Sequence, residues 1–353
     1  MPTESVSLSL LSVISLLSFF VVLMINKFST KIGNGALLDQ DFDKPQAFHK
    51  ESVARSGGLA GIISLTIFFV LHYFLFQKIL VEYLILSIVM FLTGFSEDIK
   101  LNIRAIYRLI LMIVILLLFI IFFSISINSI DLIFLNVWMS NNIFMAIFIL
   151  LCFLFIINGA NLIDGFNGLL TIHLLIINSI LLFINLDNNH QTLTTVITAQ
   201  IVILLSFLLF NFPKAKMFLG DSGSYLFGSL VALNIINTNN LNPQISSFFF
   251  CILLFYLFFE VFFSFFRKIY QRKSPVLPDN EHLHMLSFIK ISEVFGANKG
   301  NYINSIFINF IFCILVLPSA YFADNGLICK YWFFSLILIY TLIYIRLYRL
   351  TKN

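Results

Sequence analysis

The sequence is dominated by eleven apolar runs, and this feature most restricts what the chain can fold into. The runs occupy residues 6–26, 57–76, 79–95, 106–123, 141–158, 168–186, 193–211, 222–236, 246–266, 302–322 and 331–349. Because 60% of the chain is hydrophobic and only 11% is charged, a water-soluble fold could not cover its surface. A transmembrane helix needs about 20 mostly apolar residues. We therefore predict an all-α integral membrane protein with about 11 transmembrane helices, folded as a single polytopic domain over residues 1–353.

The Lys and Arg residues predict how these helices are oriented. All of them except Lys78 and Lys330 lie in or beside the segments that follow odd-numbered runs. Such residues favour the cytoplasmic side of a membrane. We therefore expect an outside N-terminus, a cytoplasmic C-terminus and a location in the inner (plasma) membrane. The first run is expected to be a span and not a cleaved signal peptide, because Glu4 and no basic residue precedes it. The outer loop 124–140 is expected to form a hairpin or a short interfacial segment.

Acids, amides and glycines are concentrated in the predicted cytoplasmic loops. The loops that we expect to carry chemistry are approximately residues 27–56, 96–105, 158–168, 211–224 and 267–301. In the second of them, Glu97 and Asp98 are adjacent carboxylates at a membrane edge. A cation would relieve their repulsion, and Mg²⁺ prefers oxygen ligands of this kind. A solvated loop that happens to hold two acids is the alternative.

A dense group of polar residues follows the fifth run. Asn158, Asn161 and Asp164 recur every third residue, and Asn167 comes next. One helical turn would place the first three on one broad face. Polar groups are costly in lipid, so this pattern predicts a ligand or a water-filled cavity. A glycine-rich turn capped by Asn and Asp is the alternative.

The segment 218–224 combines glycines with a carboxylate. The glycines would let the backbone approach a phosphate, and a helix N-terminus favours anions. Asp221 and Ser222 could instead cap the following helix. Capping alone would not explain the nearby Lys216 and Gly220.

The longest cytoplasmic loop carries basic residues and two histidines. His282 and His284 are two residues apart, which is weak support for zinc because zinc sites usually need three or four ligands. Contact with a diphosphate or a sugar is the better explanation, and a solvated basic loop is the alternative. Glu260, inside the ninth run, is a functional candidate because an acid within a membrane is costly.

Together these stretches resemble the polyprenyl-phosphate N-acetylhexosamine-1-phosphate transferase family, which includes the WecA-type enzymes and the phospho-MurNAc-pentapeptide translocase MraY. The resemblance runs from about residue 39 to about residue 290, with the motifs in the family's order. The matching segments are Asp43-Lys-Pro45 with His49 and Gly57-Gly58, Glu97-Asp98, Asn158-Gly-Ala-Asn161-Leu-Ile-Asp164-Gly165, Phe218-Leu-Gly220-Asp221, and Asp279 to His284.

The chain departs from the family pattern at several positions. Glu97 stands where the family has an Asp, Asn167 also replaces an Asp, Asn280 replaces an Arg, and Met285 replaces a final His. Eleven spans and a single His-Leu-His sequence favour the WecA-type branch over MraY.

The resemblance implies an enzyme that moves an N-acetylhexosamine 1-phosphate from a UDP-sugar to a polyprenyl phosphate such as undecaprenyl phosphate, releasing UMP. This reaction would initiate a lipid-linked cell-surface glycan, such as an O-antigen, a capsule or a wall polymer. It implies Mg²⁺, with Mn²⁺ as a substitute, at Asp221 and Asp98, and it makes Glu97, Asp98 and Asp221 catalytic. The substrate-binding residues that it implies are Lys50, Asn158, Asn161, Asp164, Asn167, Phe218, Asp279, His282 and His284.

Other functions stay open at the level of sequence. An MraY-type pentapeptide transferase is one, and a transporter or flippase of lipid-linked sugars is another. A transporter would concentrate ionisable groups near the bilayer midplane, whereas the acids of this chain are predicted to cluster on one face. A homodimer is the expected assembly from symmetry arguments, and no nucleic-acid partner is expected.

Overall fold

The computed structural model describes residues 2–29, 31, 35–39, 52–101, 103–274 and 279–352, and these form a helical bundle with one small sheet. In the sheet, β1 (Leu38–Asp39) pairs antiparallel with β2 (Val53–Ala54). The helices are α1 (Pro2–Phe28), α2 (Gly57–Phe76), α3 (Val81–Asp98), α4 (Ala105–Phe122), α5 (Ile133–Met139), α6 (Asn142–Ile163), α7 (Leu169–Asp187), α8 (Gln191–Asn211), α9 (Gly220–Leu241), α10 (Ser247–Leu253), α11 (Phe255–Tyr270), α12 (Leu283–Phe295), α13 (Ala297–Tyr321) and α14 (Gly326–Lys352).

Eight helices in the described ranges are long and apolar enough to cross a membrane. The pair α10 and α11, bent by 74°, is a ninth candidate span. Each predicted apolar run coincides with a helix or, for the ninth run, with this bent pair. The all-α membrane fold is therefore confirmed. The count of eleven and the orientation stay predictions, because α3 carries three acidic residues and α9 is rich in polar residues, so neither is recognised as a span by composition.

Helix ends follow polar residues and glycines in the sequence. The side chain of Asn141 accepts a hydrogen bond from the backbone N–H of Ile143 at 2.9 Å and so caps α6. Ser246 caps α10 in the same way. Gly168, with a φ of 76°, makes the turn that precedes α7. These caps satisfy N–H groups that a helix cannot pair internally.

Helix α9 lies at the centre of the bundle, which explains its low apolarity. Almost all of its side chains from Gly220 to Asn239 are buried, with α2, α3, α6, α7 and α8 around it. A helix that faces protein can carry polar groups if these find partners inside the bundle. Asn234 Nδ2 donates to Gln200 Oε1 at 2.8 Å, and Asn185 Nδ2 donates to Thr238 Oγ1 at 2.9 Å.

Helices α3 and α9 run antiparallel and are joined at both ends. Asp98, the last residue of α3, accepts a hydrogen bond from the backbone N–H of Asp221 at 3.0 Å. At the other end, Asn237 Nδ2 donates to the Tyr83 hydroxyl at 2.9 Å. With a rise of about 1.5 Å per residue, these two contacts lie roughly 22 Å apart along α3. The pair therefore connects the two ends of the bundle.

The sequence left two loop regions without detail, and both contain a helix. The predicted outer loop 124–140 holds α5, whose Ile133 and Trp138 are exposed. A short helix with an exposed aromatic face favours an interfacial segment over a hairpin. The loop 267–301 holds α12. The sequence did not predict this helix, because the polar residues of the loop indicated only ligand contacts.

Glycines allow α3 and α9 to touch backbone to backbone. A Cβ atom on Gly94 would lie 2.3 Å from the Asp221 carbonyl oxygen. Gly159 makes a similar approach to α11, where a Cβ would lie 2.0 Å from the Leu257 carbonyl oxygen. These contacts leave no room for any larger residue without a shift of the helices.

We predict that Gly94→Ala destabilises the protein. Gly→Ala within a helix normally adds about 1 kcal/mol of stability, but the clash at this position should instead cost about 1–3 kcal/mol. The measurement is the thermal unfolding midpoint of the purified protein in detergent. Gly165→Ala is the matched control, because no atom lies within 4 Å of a Cβ built there. Equal midpoints for the two variants would contradict the close packing of α3 on α9.

Candidate active site

A carboxylate from a different helix caps the N-terminus of α9. Asp98 Oδ1 accepts from the N–H of Asp221 at 3.0 Å, and Asp98 Oδ2 accepts from the N–H of Ser222 at 2.9 Å and from its hydroxyl. Gly220 has a φ of 77°, and a Cβ there would lie 2.7 Å from both Asp98 carboxylate oxygens. Glycine is therefore required at this position by conformation and by space. The capping carboxylate is Asp98, which leaves the side chain of Asp221 available for other contacts.

Arg108 forms ion pairs with two further acids of this region. Its Nη1 lies 3.0 Å from Asp221 Oδ2 and 3.3 Å from Glu97 Oε2. The sequence reading used Arg108 only to orient the membrane spans and missed this role. The signal that could have revealed it is a guanidinium in the first turn of the apolar helix α4, where an unpaired charge would be costly.

A second guanidinium is brought near the acids by backbone pairing. The N–H of Phe218 donates to the Ala54 carbonyl at 2.9 Å, and the N–H of Gly57 donates to the Phe218 carbonyl at 2.9 Å. Arg55 lies between these pairing residues, and its Nη2 is 2.7 Å from Asp39 Oδ2. Phe218 is half-buried at this junction.

Three carboxylates influence one another at this end of the bundle. Burial raises the pKa of Asp98 to about 7, and the negative charge of Asp221 adds to this effect. Burial also raises the pKa of Asp164 well above its ordinary value, again with contributions from Asp221 and Asp98. The positive charge of Arg55 acts against both shifts. Carboxylates that disfavour each other's ionisation in this way form a setting that a cation would stabilise.

The amides of the segment 158–168 do not all point to the same place. Asn161 Nδ2 donates to Ser224 Oγ at 3.2 Å, which places Asn161 beside the first turn of α9. Asn158 Nδ2 donates to the Leu154 carbonyl of its own helix at 2.7 Å. Asn167 Nδ2 donates to the Pro213 carbonyl at 3.0 Å. Asn161 is therefore the amide of this segment that the structure joins to α9.

A second polar network surrounds Glu260. Glu260 Oε1 lies 3.0 Å from His282 Nδ1, and the Tyr340 hydroxyl donates to Glu260 Oε2. His282 Nε2 lies 3.2 Å from Asp279 Oδ1. The acid that the sequence singled out in the ninth run is thus paired with one of the two predicted histidines. Tyr340, which the sequence reading missed, comes from α14 at the far end of the chain.

Arg267 and α14 hold the segment that contains these histidines. Arg267 Nη2 lies 2.9 Å from Asp279 Oδ2, and Arg267 Nη1 lies 2.7 Å from Glu281 Oε2. On α14, the Tyr344 hydroxyl donates to the Glu281 carbonyl at 3.0 Å, and Lys352 Nζ lies 3.1 Å from Glu281 Oε1. Asp279 is therefore committed to ion pairs within this network.

Both predicted histidines are inside the protein. The exposed fraction is 2% for His282 and 0% for His284. His284 Nδ1 lies 3.2 Å from the Tyr256 hydroxyl, and its ring meets the edge of Phe166 at a centroid distance of 5.9 Å. Burial lowers the pKa of His284 to about 3, so this ring is neutral at pH 7. The contact with Phe166 links the second network to the segment 158–168.

Metal binding can be judged from the donors that are present. Among the described residues, no group of three or more His, Cys, Asp or Glu side chains is arranged to hold a metal ion. Mg²⁺ commonly uses only one or two carboxylates, with substrate phosphates and water completing its shell. Asp221, next to the buried Asp98, fits that partial donor set. Lys50, Asp43 and His49 lie outside the described residues.

We predict that Asp98→Ala destabilises the protein more than Glu97→Ala. The Asp98 change leaves two backbone N–H groups and the Ser222 hydroxyl without their acceptor, which should cost about 1–3 kcal/mol. The Glu97 change leaves Arg108 still paired with Asp221. Thermal unfolding of both variants in the same detergent gives the comparison. The capping role would be refuted by a larger loss for Glu97→Ala.

We also predict that Tyr340→Phe destabilises the polar network around Glu260 and makes the adjoining segment more accessible to protease. The change removes only the hydroxyl that donates to Glu260, leaving a buried carboxylate oxygen short of a donor, at a cost of about 1–3 kcal/mol. Tyr331→Phe on the same helix is the control, because Tyr331 is 65% exposed. Faster trypsin cleavage after Arg272 or Lys273 in the Tyr340 variant is the expected result. The same cleavage rate in both variants would show that the Tyr340 hydroxyl does not hold this segment.

The middle of the chain is similar to proteins of known family. Residues 80–239 match the family model described as Glycosyl transferase family 4. An undecaprenyl-phosphate alpha-N-acetylglucosaminyl 1-phosphate transferase of Thermotoga maritima is 31% identical over 147 residues, which are 42% of this chain and 44% of the relative. A probable undecaprenyl-phosphate N-acetylglucosaminyl 1-phosphate transferase of Bacillus subtilis is 30% identical over 171 residues, 47% of this chain and 46% of the relative.

A second group of relatives carries a different name. A phospho-N-acetylmuramoyl-pentapeptide-transferase of Clostridium perfringens is 34% identical over 105 residues, 30% of this chain and 33% of the relative. The chain thus spans less than half the length of each of these three relatives. These matches agree with the family predicted from the motifs, and the match to the glycosyl transferase family 4 model extends over residues 80–239.

Proposed function

We propose that the protein is an enzyme that transfers an N-acetylhexosamine 1-phosphate from a UDP-sugar to a polyprenyl phosphate and releases UMP. One observation carries this proposal: Asp98, Asp164 and Asp221 come together beside Arg108 and Arg55 at the ends of α3, α6 and α9. All three acids lie in the matched family segment. Two relatives of the chain are named as an undecaprenyl-phosphate alpha-N-acetylglucosaminyl 1-phosphate transferase and a phospho-N-acetylmuramoyl-pentapeptide-transferase.

The position of the acids supports a reaction between a water-soluble donor and a lipid. The acids lie at helix ends, where both substrates could meet, and the interior around α9 holds apolar side chains and amide pairs such as Asn234 and Gln200. We propose that this end faces the cytoplasm and that the protein lies in the inner membrane of a bacterium. The bias of Lys and Arg towards the same end supports this orientation.

In the proposed reaction, an oxygen of the lipid phosphate attacks the sugar-linked phosphorus of the donor. The new P–O bond forms as the bond between that phosphorus and the bridging oxygen breaks, and UMP leaves with the bridging oxygen. A phosphate monoester has a second pKa near 6, about one unit below pH 7, so little base catalysis is required. Direct attack without a covalent enzyme intermediate is therefore the simplest course.

The residues of this chain would act mainly by charge and position. Arg108 and Arg55 are placed to pair with donor or acceptor phosphates, since guanidinium groups bind phosphate well. Glu97 would act through Arg108, which it contacts at 3.3 Å. Mg²⁺ or Mn²⁺ held by Asp221, with Asp98 nearby, would neutralise the diphosphate and stabilise charge on the leaving UMP.

The remaining substrate contacts divide between the two networks. Asn161 and Asp164, with Asn158 and Asn167 of the same segment and Phe218 of the loop before α9, would hold the nucleotide. Contacts of Asp279, His282 and His284 with the UDP-sugar stay predictions. Each of these side chains already has a protein partner in the structure. Their burial supports a positioning role for the segment that they belong to. Lys50 stays a predicted phosphate ligand.

The direct test is UMP release by the purified protein. We expect equal amounts of UMP and of a lipid diphosphate sugar from undecaprenyl phosphate, Mg²⁺ and one member of a UDP-sugar panel. The panel should include UDP-N-acetylglucosamine, UDP-N-acetylgalactosamine and the UDP-muramoyl pentapeptide, because relatives of both names match the chain. A transporter or flippase would move a lipid-linked sugar without forming UMP, and that result would refute the proposal.

We predict that Asp221→Asn lowers the rate of UMP release at least about a hundredfold, since it removes charge that a catalytic metal requires. Asp187→Asn is the matched control, because Asp187 is exposed at the opposite end of α7. The unfolding midpoints of the two variants should be similar. Full activity of Asp221→Asn in a magnesium buffer would refute the metal assignment.

A further inference from the structure

A cavity lies at the opposite end of the α3–α9 pair from the candidate active site. Its volume is about 650 Å³, and it is lined by the residues before and within the first turn of α3, by the start of α8 and by the end of α9. Small-molecule sites commonly measure about 300–1,000 Å³. Tyr83 in the cavity wall is roughly 22 Å from Asp98 along α3. The cavity is therefore separate from the proposed transferase site.

Two side chains of opposite charge line this cavity without an ion-pair partner among the described residues. Lys78 and Glu82 belong to its lining, and neither forms an ion pair with any residue in the described part of the chain. Lys78 is exposed and Glu82 is half-buried. Charged groups without an ion-pair partner beside apolar residues can pair with an oppositely charged ligand. A ligand with one positive and one negative group would pair both.

The uncharged polar groups of the cavity also have capacity to bind. His190 Nε2 is buried and has no hydrogen-bond partner among the described residues. The Tyr83 hydroxyl accepts from Asn237 Nδ2 at 2.9 Å, so its own hydrogen remains available to donate. These groups lie in the same wall as Glu82. The site thus offers a donor and an acceptor in addition to its two charges.

Apolar residues complete the lining beside the charged ones. Ile79 and Val81 lie between Lys78 and Glu82 in the sequence and are 58% and 40% exposed. A freely soluble zwitterion such as an amino acid would leave these side chains in contact with water. A lipid would cover them with the first methylene groups of its acyl chains, at a gain of about 25 cal/mol per Å² buried.

We infer that this cavity binds the headgroup of a zwitterionic aminophospholipid, with phosphatidylethanolamine as the simplest example. Lys78 pairs with the phosphate, and Glu82 accepts hydrogen bonds from the primary ammonium. An anionic lipid would leave Glu82 without a cation. A choline headgroup carries no N–H group to donate to the carboxylate. The inference goes beyond the proposed transferase and does not depend on it.

The test is a lipid titration of the full chain purified in detergent. Phosphatidylethanolamine, phosphatidylcholine and phosphatidylglycerol with identical acyl chains are added separately, and bound lipid is counted by native mass spectrometry. We expect the lowest Kd for phosphatidylethanolamine. Glu82→Gln should weaken its binding about tenfold, the effect of losing one charge-assisted hydrogen bond, and should leave phosphatidylglycerol binding unchanged. Lys78→Gln should weaken the binding of both lipids.

Matched controls distinguish lipid binding in the cavity from a general effect of surface charge. Asp187→Asn and Lys330→Gln remove the same charges from exposed residues of the predicted outer loops, and they should leave lipid binding unchanged. Thr192→Trp introduces bulk into the cavity lining without a change of charge and should reduce phosphatidylethanolamine binding. The unfolding midpoint of each variant shows that it is folded.

Two results would overturn the inference. One is equal affinity for the three lipids. The other is unchanged phosphatidylethanolamine binding in the Glu82, Lys78 or Thr192 variant. Neither measurement uses UMP release, so failure here leaves the proposed transferase intact, and failure of the transferase assay leaves this inference intact.

Discussion

The rest of the structure depends on the buried carboxylate of Asp98 and its contact with the start of α9. This group accepts hydrogen bonds from the N–H groups of Asp221 and Ser222. Because Asp98 is the last residue of α3 and Asp221 lies in the first turn of α9, one interaction fixes the position of the two antiparallel helices along their axes. It also requires glycine at position 220, where a side chain would meet the carboxylate. Once this contact is made, the side chain of Asp221 lies beside Arg108, and the candidate active site is assembled.

The helices were predictable from the sequence to the extent that they face lipid. Apolar runs gave the positions of eight strongly hydrophobic helices and of the bent pair α10 and α11. The apolar run within α9, residues 222–236, is the shortest of those predicted for a physical reason: the helix is surrounded by protein, so buried amides such as Asn234 can replace apolar side chains. Short polar segments carried less information, and α12 was missed although its first residues had been singled out.

The candidate site was predictable by residue type but not by pairing. The motifs identified Asp98, Asp164 and Asp221, and the structure brings these acids together. The sequence did not predict that Asp98 caps a helix, that Arg108 bridges Glu97 and Asp221, or that Tyr340 binds Glu260. Most of these contacts join residues 80 or more positions apart in the chain, and spacing along a sequence does not indicate such pairings.

The low apolarity of α9 has a consequence for how the chain enters the membrane. A segment with several polar or charged residues is inserted poorly on its own, because each such residue costs free energy in lipid. Helix α9 carries a series of amides and hydroxyls along its length. Its neighbours α2, α3, α6, α7 and α8 all precede it in the chain and are synthesised first, so they are present to pair with these groups when α9 enters. Packing of α9 would then bring Asp221 to Asp98 and Arg108 before α10 to α14 are added.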